Sequence, residues 1–208
     1  MAEDAAPRDV AGVILAGGRS RRMGTDKTRL HIGEQAMLER VFDRLKGQAR
    51  WLVLSVNDER QPVFLPDLTT VTDAGTQFGG PLFGILSALK WTRQNTDAVW
   101  LVSAPADAPF LPRNLVSHLG KKRGPDAEIA VARSLGRLHP TIALWPVSLA
   151  DALETWLAVS PQRAVRAWLE TRAWSAVDFA DDGGIDPFFN VNTPEDLAVA
   201  REHAGKSI

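Results

Sequence analysis

The chain has 208 residues, of which 45% are hydrophobic, enough for the core of one α/β domain or of two very small ones. Its net charge of -1 argues against non-specific binding to nucleic acid or to an anionic membrane, and the absence of cysteine excludes disulfides, thiolate metal sites and a cysteine nucleophile. No apolar run approaches the roughly 20 residues that span a bilayer. The acidic, polar N-terminus lacks the apolar core of a signal peptide, so we expect a cytoplasmic protein.

The first half of the chain alternates short apolar runs with helical stripes. Residues 1–9 are expected to form a flexible tail. Apolar runs typical of buried strands follow at residues 10–15, 51–56 and 99–102, with a shorter one near Val71. Hydrophobic side chains recur with helical spacing in two stripes, Leu38, Val41, Phe42 and Leu45, and then Leu82, Ile85, Leu86 and Leu89 behind Pro81.

The second half continues the alternation and completes the predicted fold. Strands are predicted at residues 129–132, 141–145 and 175–179, helices at 149–157 and 164–169, and a last helix that begins behind Thr193 and Pro194. This order predicts a single α/β domain over residues 10–208, with a mostly parallel sheet between two layers of helices, a three-layer α/β/α architecture. Ligands of such sheets bind beyond the carboxyl ends of the strands, so the loops after Leu15, Val56 and Val102 should meet at one rim.

The most conspicuous polar segment follows the first strand. From Leu15 to Lys27 it reads Leu-Ala-Gly-Gly-Arg-Ser-Arg-Arg-Met-Gly-Thr-Asp-Lys. Glycines let backbone N–H groups approach an anion closely, and arginine and lysine supply the charge that holds a triphosphate. The segment is not a Walker P-loop, because Thr25 and Asp26 separate Gly24 from the lysine. A mobile basic loop is the alternative, but the whole string behind a buried strand favours phosphate binding.

This string is similar to the signature loop of the molybdenum cofactor guanylyltransferases. Further along, Asp73 and segment 80–84 (Gly-Pro-Leu-Phe-Gly) resemble the family's aspartate and its Gly-Pro-Leu-Ala-Gly segment. Segment 106–109 (Ala-Asp-Ala-Pro) resembles the family's Cys-Asp-x-Pro turn, and residues 139–141 (His-Pro-Thr) and 189–194 (Phe-Asn-Val-Asn-Thr-Pro) match two later segments. The resemblance therefore spans most of the chain in the family's order.

The resemblance implies a Rossmann-like nucleotidyltransferase fold of the glycosyltransferase-A type and an enzyme that moves GMP from GTP to the terminal phosphate of molybdopterin. It departs from the family at Phe83, where alanine is usual, and at Ala106, where cysteine is usual. Neither departure removes a charged or phosphate-contacting group. GTP and molybdopterin are the implied substrates, and cofactor-synthesis proteins and recipient molybdoenzymes are possible transient partners.

The resemblance also implies site residues. Asp107 would bind Mg²⁺, Lys27 would neutralise the α- and β-phosphates, and Arg22 would stabilise the leaving pyrophosphate. The expected nucleotide contacts are Leu15, Ala16, Gly17, Gly18, Gly24, Lys27, Asn57, Asp73, Gly84 and Asp107.

Several of these assignments have structural alternatives. Asn57 is an ordinary turn residue by its sequence alone, and only the resemblance favours a nucleotide contact. Asp73 could bind the metal, contact the nucleotide or cap a turn. Asn190 and Asn192, two apart, either bind molybdopterin or order the turn into the last helix. His139 is more often a structural histidine than a catalytic one.

Three other functions remain open at this point. A cytidylyltransferase for the same cofactor typically carries Leu-Ala-Ala-Gly and lacks Gly-Pro-Leu. A sugar-phosphate nucleotidyltransferase is usually longer than this chain. A GTP-binding adaptor that delivers the cofactor without chemistry would not need Lys27 and Asp107.

Overall fold

The computed structural model describes residues 9–16, 30–56, 65, 68–72, 80–181 and 184–206. Its strands are β1 (Val10–Leu15), β2 (His31–Ile32), β3 (Gln35–Ala36), β4 (Trp51–Val56), β5 (Thr69–Thr72), β6 (Trp100–Pro105), β7 (Ile129–Ser134), β8 (Arg137–Pro146) and β9 (Trp174–Phe179). Its helices are α1 (Met37–Leu45), α2 (Pro81–Asn95), α3 (Leu115–Lys122), α4 (Ala150–Val159), α5 (Val165–Leu169) and α6 (Pro194–Lys206). A short 3-10 helix (Val147–Leu149) precedes α4.

Seven of the described strands form one sheet in the order β5-β4-β1-β6-β8-β7-β9, and β2 and β3 form a separate two-stranded sheet. The pairs β5–β4, β4–β1, β1–β6 and β7–β9 are parallel, whereas β8 runs antiparallel to both of its neighbours. This confirms the predicted α/β fold with a mostly parallel sheet. Because β1, β4 and β6 are parallel, their carboxyl ends lie at the same rim, as predicted.

Side chains of the sheet alternate between two helical layers. Val10 and Ile14 of β1 pack in a cluster with α1 and α3, whereas Ala11 and Val13 face a second cluster built with α2, α4 and α5. This period of two is the reason that β1 is apolar at nearly every position, since both faces of a central strand are buried. The predicted three-layer arrangement is therefore observed in the described residues.

The bounds of several elements differ from the predicted ones. The strand expected at residues 99–102 runs from Trp100 to Pro105, so the rim loop begins three residues later than predicted. The strand expected at 141–145 is twice as long, because β8 continues through Pro140. A bulge accommodates this proline: Val131 pairs with Ala143 and the next residue, Ala132, with His139.

Two elements were missed by the sequence analysis. The β2–β3 hairpin has strands of two residues, too short for any periodicity to show. Helix α3 is eight residues long and contains Gly120 and two lysines, and only Leu115, Val116 and Leu119 are buried. Within the described ranges, no helix is long and apolar enough to cross a membrane.

Candidate active site

The rim is built by backbone hydrogen bonds that continue the sheet past its strands. The N–H of Ala16 donates to the carbonyl of Ser55 at 2.9 Å, and the N–H of Ala106 donates to the carbonyl of Leu15 at 3.0 Å. The end of β1 is therefore held between the ends of β4 and β6. As a result, Leu15 and Ala16 lie next to the turn that carries Asp107.

Helix α2 presents its amino end to the same rim. Its first turn starts at Gly80, whose φ of 71° is a left-handed conformation that glycine adopts without strain. Gly84, one turn further, lies against β1 and β4: a Cβ atom there would collide with Ser55 Oγ and lie 3.0 Å from Leu15 Cδ2. The predicted nucleotide-binding residues Leu15, Ala16 and Gly84 are thus brought together, and the positive end of a helix dipole lies beside them.

Phe83, the departure from the family pattern in segment 80–84, faces the layer of α4 and α5. It packs against the cluster of α2, α4 and α5, and the guanidinium of Arg163 lies 5.6 Å from the centre of its ring. The carbonyl oxygen of Arg163 lies 3.9 Å from the position of a Cβ on Gly80. The larger side chain therefore supports the loop between α4 and α5 next to the start of α2.

Asp107 lies in the turn directly after β6 and is half-buried. The turn is closed by the N–H of Ala108, which donates to the carbonyl of Pro105 at 3.4 Å, and Phe110 follows in a buried position. In the described part of the chain, no group of three or more histidine and acidic side chains could hold a metal ion. Mg²⁺ commonly binds through one or two carboxylates together with substrate phosphates, so a site for this ion does not require such a group.

Segment 186–192 lies beside Asp107. The N–H of Val191 donates to the Asp107 carbonyl at 2.9 Å, and the Val191 side chain is fully buried among residues of α6 and the β2–β3 hairpin. Asn190 is half-buried and its Oδ1 is a buried acceptor without a hydrogen-bond partner among the residues that the structure describes, whereas Asn192 is exposed. The structure thus brings Asn190 close to the proposed metal ligand and gives the two asparagines different environments.

Helix α6 begins as the sequence predicts. Thr193 Oγ1 accepts the N–H of Asp196 at 3.1 Å, and the Asp196 carboxylate accepts the N–H groups of Asn192 and Thr193 at 2.8 and 2.9 Å. This reciprocal capping fixes the chain direction immediately after Asn192.

His139 belongs to a buried polar network. Its Nε2 lies 2.8 Å from Ser134 Oγ, and Ser134 Oγ donates to Asp186 Oδ1 at 2.6 Å. The same Asp186 oxygen accepts the N–H of Phe188 at 2.9 Å, and the rings of His139 and Phe188 are 4.9 Å apart. His139 is thus a hydrogen-bonded structural histidine, in agreement with the more conservative interpretation of the sequence.

Burial lowers the pKa of His139 below its ordinary value, Asp186 acts in the opposite direction, and Arg137 lowers it further. In the unfolded chain the imidazole of His139 has its ordinary pKa of about 6.5, so on acidification the unfolded chain takes up a proton at a higher pH than the folded chain. The free energy of unfolding should therefore fall as the pH drops from neutral through the folded pKa. Urea unfolding of the wild type and of His139→Gln between pH about 5 and 8 measures this loss, which the variant should lack. His31→Gln, a substitution of an exposed histidine, is the control for the loss of a histidine as such. Parallel profiles of the wild type and His139→Gln would contradict the prediction.

The remaining predicted site residues lie outside the described residues. These are Gly17, Gly18, Arg22, Gly24, Lys27, Asn57 and Asp73. Their roles stay predictions from the sequence.

Three residues that support the site were not predicted from the sequence. Ser55 is buried at the end of an apolar strand and contacts the first turn of α2, and a lone serine in such a run was the available signal. Ser134 and Asp186 gave no signal, because their partnership with His139 depends on a hairpin turn and on a segment about 50 residues away.

Comparisons with known proteins agree with this arrangement. A family profile for the MobA-like NTP transferase domain matches residues 12–176. The molybdenum cofactor guanylyltransferase of Mesorhizobium japonicum is 42% identical over 197 residues, covering 93% of this chain and 95% of that relative. The enzyme of the same name from Nitrobacter hamburgensis is 43% identical over 196 residues, which are 93% of each chain.

The fold is also shared with a solved structure. The molybdopterin-guanine dinucleotide biosynthesis protein A of Archaeoglobus fulgidus superposes with a TM-score of 0.71 at 25% identity, over 94% of this chain and 99% of that one. The resemblance identified from the sequence motifs is confirmed. The chain belongs to the MobA-like NTP transferase family of nucleotidyltransferases, with relatives named molybdenum cofactor guanylyltransferases.

Proposed function

We propose that the protein transfers GMP from GTP to the terminal phosphate of molybdopterin and releases pyrophosphate. The observation that carries the proposal is the hydrogen bond between Val191 and Asp107, 2.9 Å long. It joins the predicted metal ligand to the segment predicted to bind molybdopterin, next to Leu15 at the end of β1, whose carbonyl accepts the N–H of Ala106. The names of the relatives at 42% and 43% identity support the same reaction.

The chemistry needs no nucleophile from the protein. An oxygen of the molybdopterin phosphate, already an anion, attacks the α-phosphorus of GTP. The bond from that phosphorus to the oxygen bridging to the β-phosphate breaks, and pyrophosphate leaves with the electron pair. The protein has to align these groups and neutralise their charge.

The rim residues suit this task. Asp107 would hold Mg²⁺, which when bound neutralises charge on the phosphate oxygens. The loop of residues 17–24 would surround the triphosphate, with Lys27 at the α- and β-phosphates and Arg22 at the leaving pyrophosphate. The amino end of α2 adds the positive end of a helix dipole, which favours phosphate nearby. Leu15 and Ala16 would face the nucleotide, and so would Gly84, Asn57 and Asp73.

Asn190 supplies the argument for the acceptor substrate. Its buried, unpartnered Oδ1 is an acceptor whose burial costs free energy unless a donor meets it. A pterin ring carries N–H donors on its edge and can provide one. Exposed Asn192 would contact a more peripheral part of the same ligand. Cofactor-synthesis proteins and recipient molybdoenzymes would meet the protein at this rim, where the product forms.

Competition between GTP and CTP, with molybdopterin as the acceptor and pyrophosphate release as the readout, tests the proposal. We expect a preference for GTP of about 100-fold or more in kcat/KM, because a site that pairs the polar edge of guanine leaves those groups unpaired with cytosine. Gly17→Ala tests whether space at the first loop contributes to this selectivity. Equal use of GTP and CTP would exclude specificity for guanylyl transfer. If no pyrophosphate is released, the protein is not a transferase, and the alternative of a GTP-binding adaptor remains.

A further inference from the structure

We infer that Ser134, His139 and Asp186 form a positioning network that sets the location of Asn190 for the acceptor substrate. The inference rests on the proposed function, since it assigns a role in binding molybdopterin.

The direction of the hydrogen bonds follows from the chemistry of the groups. The Ser134 hydroxyl has one proton, and it donates that proton to the Asp186 carboxylate at 2.6 Å. The His139 Nε2 atom, 2.8 Å from the same hydroxyl, must then be the donor to its oxygen. Nε2 of His139 therefore carries a proton and is not available as a base. Its contribution is to orient the serine, and through it the aspartate.

The network is fixed by the β7–β8 hairpin. The turn between these strands uses Leu135 and Gly136 with φ of 47° and 74°, and Arg133 pairs with Leu138 behind it. Ser134 and His139 are diagonal neighbours on one face of the hairpin, 1% and 7% exposed. The bulge begins directly after His139, so the regular pairing of the hairpin ends at this residue, and β8 then runs along β6 away from the rim.

Asp186 transmits this order to the segment that carries Asn190. Its carboxylate accepts the N–H of Phe188 at 2.9 Å and its carbonyl accepts the N–H of Phe189 at 2.9 Å, which closes a turn. Phe188 is 1% exposed and packs against the rings of His139 and Phe179, at centroid distances of 4.9 and 5.0 Å. The chain is thus held at Asp186 on one side of Asn190 and by the bond from Val191 to Asp107 on the other.

This arrangement fixes the place of the unpartnered acceptor. Because the chain is anchored on both sides of Asn190, the position of its backbone is set, and with it the place from which its amide can meet a ligand N–H. The cost of the unmet hydrogen bond of its Oδ1 is recovered when the acceptor substrate binds. Loss of the network should therefore weaken binding of molybdopterin more than it affects GTP or the chemical step.

Steady-state kinetics of Ser134→Ala test the inference. We expect the KM for molybdopterin to rise on the order of tenfold, the scale of one lost hydrogen bond to a charged group, with little change in kcat or in the KM for GTP. Ser175→Ala is the matched control, because this half-buried serine accepts the Gly124 N–H at 3.0 Å near the opposite end of the sheet. It should lose some thermal stability and keep both KM values.

Two further variants separate positioning from general destabilisation. His139→Gln retains an N–H donor and should keep a nearly normal KM, whereas His139→Leu should resemble Ser134→Ala. In a double-mutant cycle, Ser134→Ala combined with Asn190→Ala should raise the KM for molybdopterin no further than Asn190→Ala alone. Additive effects, a parallel rise of both KM values, or equal kinetics of the two His139 variants would overturn the inference.

The wild type decides which of the two ideas fails. If it releases no pyrophosphate from GTP and molybdopterin, the proposed function is wrong. If the wild type turns over normally and Ser134→Ala keeps its KM for molybdopterin, only the positioning network is wrong.

Discussion

Asp107→Ala should lower the rate of guanylyl transfer by about 100-fold or more, the usual scale for removing a principal electrostatic stabiliser. The half-buried side chain lies at the rim rather than in the core, and the hydrogen bond to Val191 uses the backbone carbonyl, which the substitution keeps. The fold should therefore survive while the carboxylate is lost. Initial rates at saturating magnesium and GTP measure the effect, and circular dichroism checks the fold.

A second readout does not depend on turnover. Titration of the GTP complex with Mg²⁺ in a calorimeter should show weaker metal binding in both Asp107→Ala and Asp107→Asn, because an amide oxygen carries no net charge. Asp126→Ala removes an exposed carboxylate beside the amino end of β7, far from the rim, and controls for the change in net charge. A normal rate in Asp107→Ala, or metal affinity equal to that of the control, would show that the metal is held elsewhere.

Gly84→Ala should destabilise the protein and impair nucleotide binding together. The new methyl group would collide with Ser55 Oγ and approach Leu15 Cδ2 to 3.0 Å, so either α2 or the packed side chains at the ends of β4 and β1 must shift. Overpacking of this kind costs about 1–3 kcal/mol, more than the gain of up to about 1 kcal/mol from replacing a helical glycine by alanine. Urea unfolding and the KM for GTP measure the two effects.

The chain provides a control and a rescue for this prediction. Gly120 lies in α3 with its nearest neighbour, Leu144 Cδ2, 4.0 Å from a Cβ position, so Gly120→Ala should stabilise the protein. Combining Gly84→Ala with Ser55→Gly removes the colliding side chain and should restore part of the nucleotide affinity. Stability of Gly84→Ala equal to the wild type would show that α2 is not packed tightly against the rim.

The elements that the sequence predicted well are those whose pattern is local. β1 and β4 have continuous apolar runs and α1 has a stripe with helical spacing, so their bounds matched to within a residue. The start of α2 was predicted at Pro81, but the helix continues past the last stripe residue, Leu89, to Asn95. The bulged strand β8 was predicted too short because Pro140 normally ends a strand, and its accommodation depends on β7.

The same distinction between local and long-range patterns holds for the site. The ends of the parallel strands predicted where the rim lies, and the family resemblance then pointed to Asp107, Leu15 and Ala16 as site residues there. The network of Ser134, His139 and Asp186 was not predicted, because it joins a hairpin to a segment far away in the sequence and no periodic pattern of residues signals it. Neighbours in space with long separations along the chain are what a single sequence conceals.

The contact between α6 and the β2–β3 hairpin has a consequence for folding. Arg201 Nε donates to the carbonyl of His31 at 3.0 Å, across 170 residues of sequence, and α6 shares a buried cluster with Ile32, Met37 and Val191. Leu30, the first described residue after the glycine- and arginine-rich segment, directly precedes this hairpin, so the position of the chain at that point depends on the last helix. Because contacts at large sequence separation form late, we expect the sheet to assemble first and the catalytic rim to be the final part of the molecule to acquire its structure.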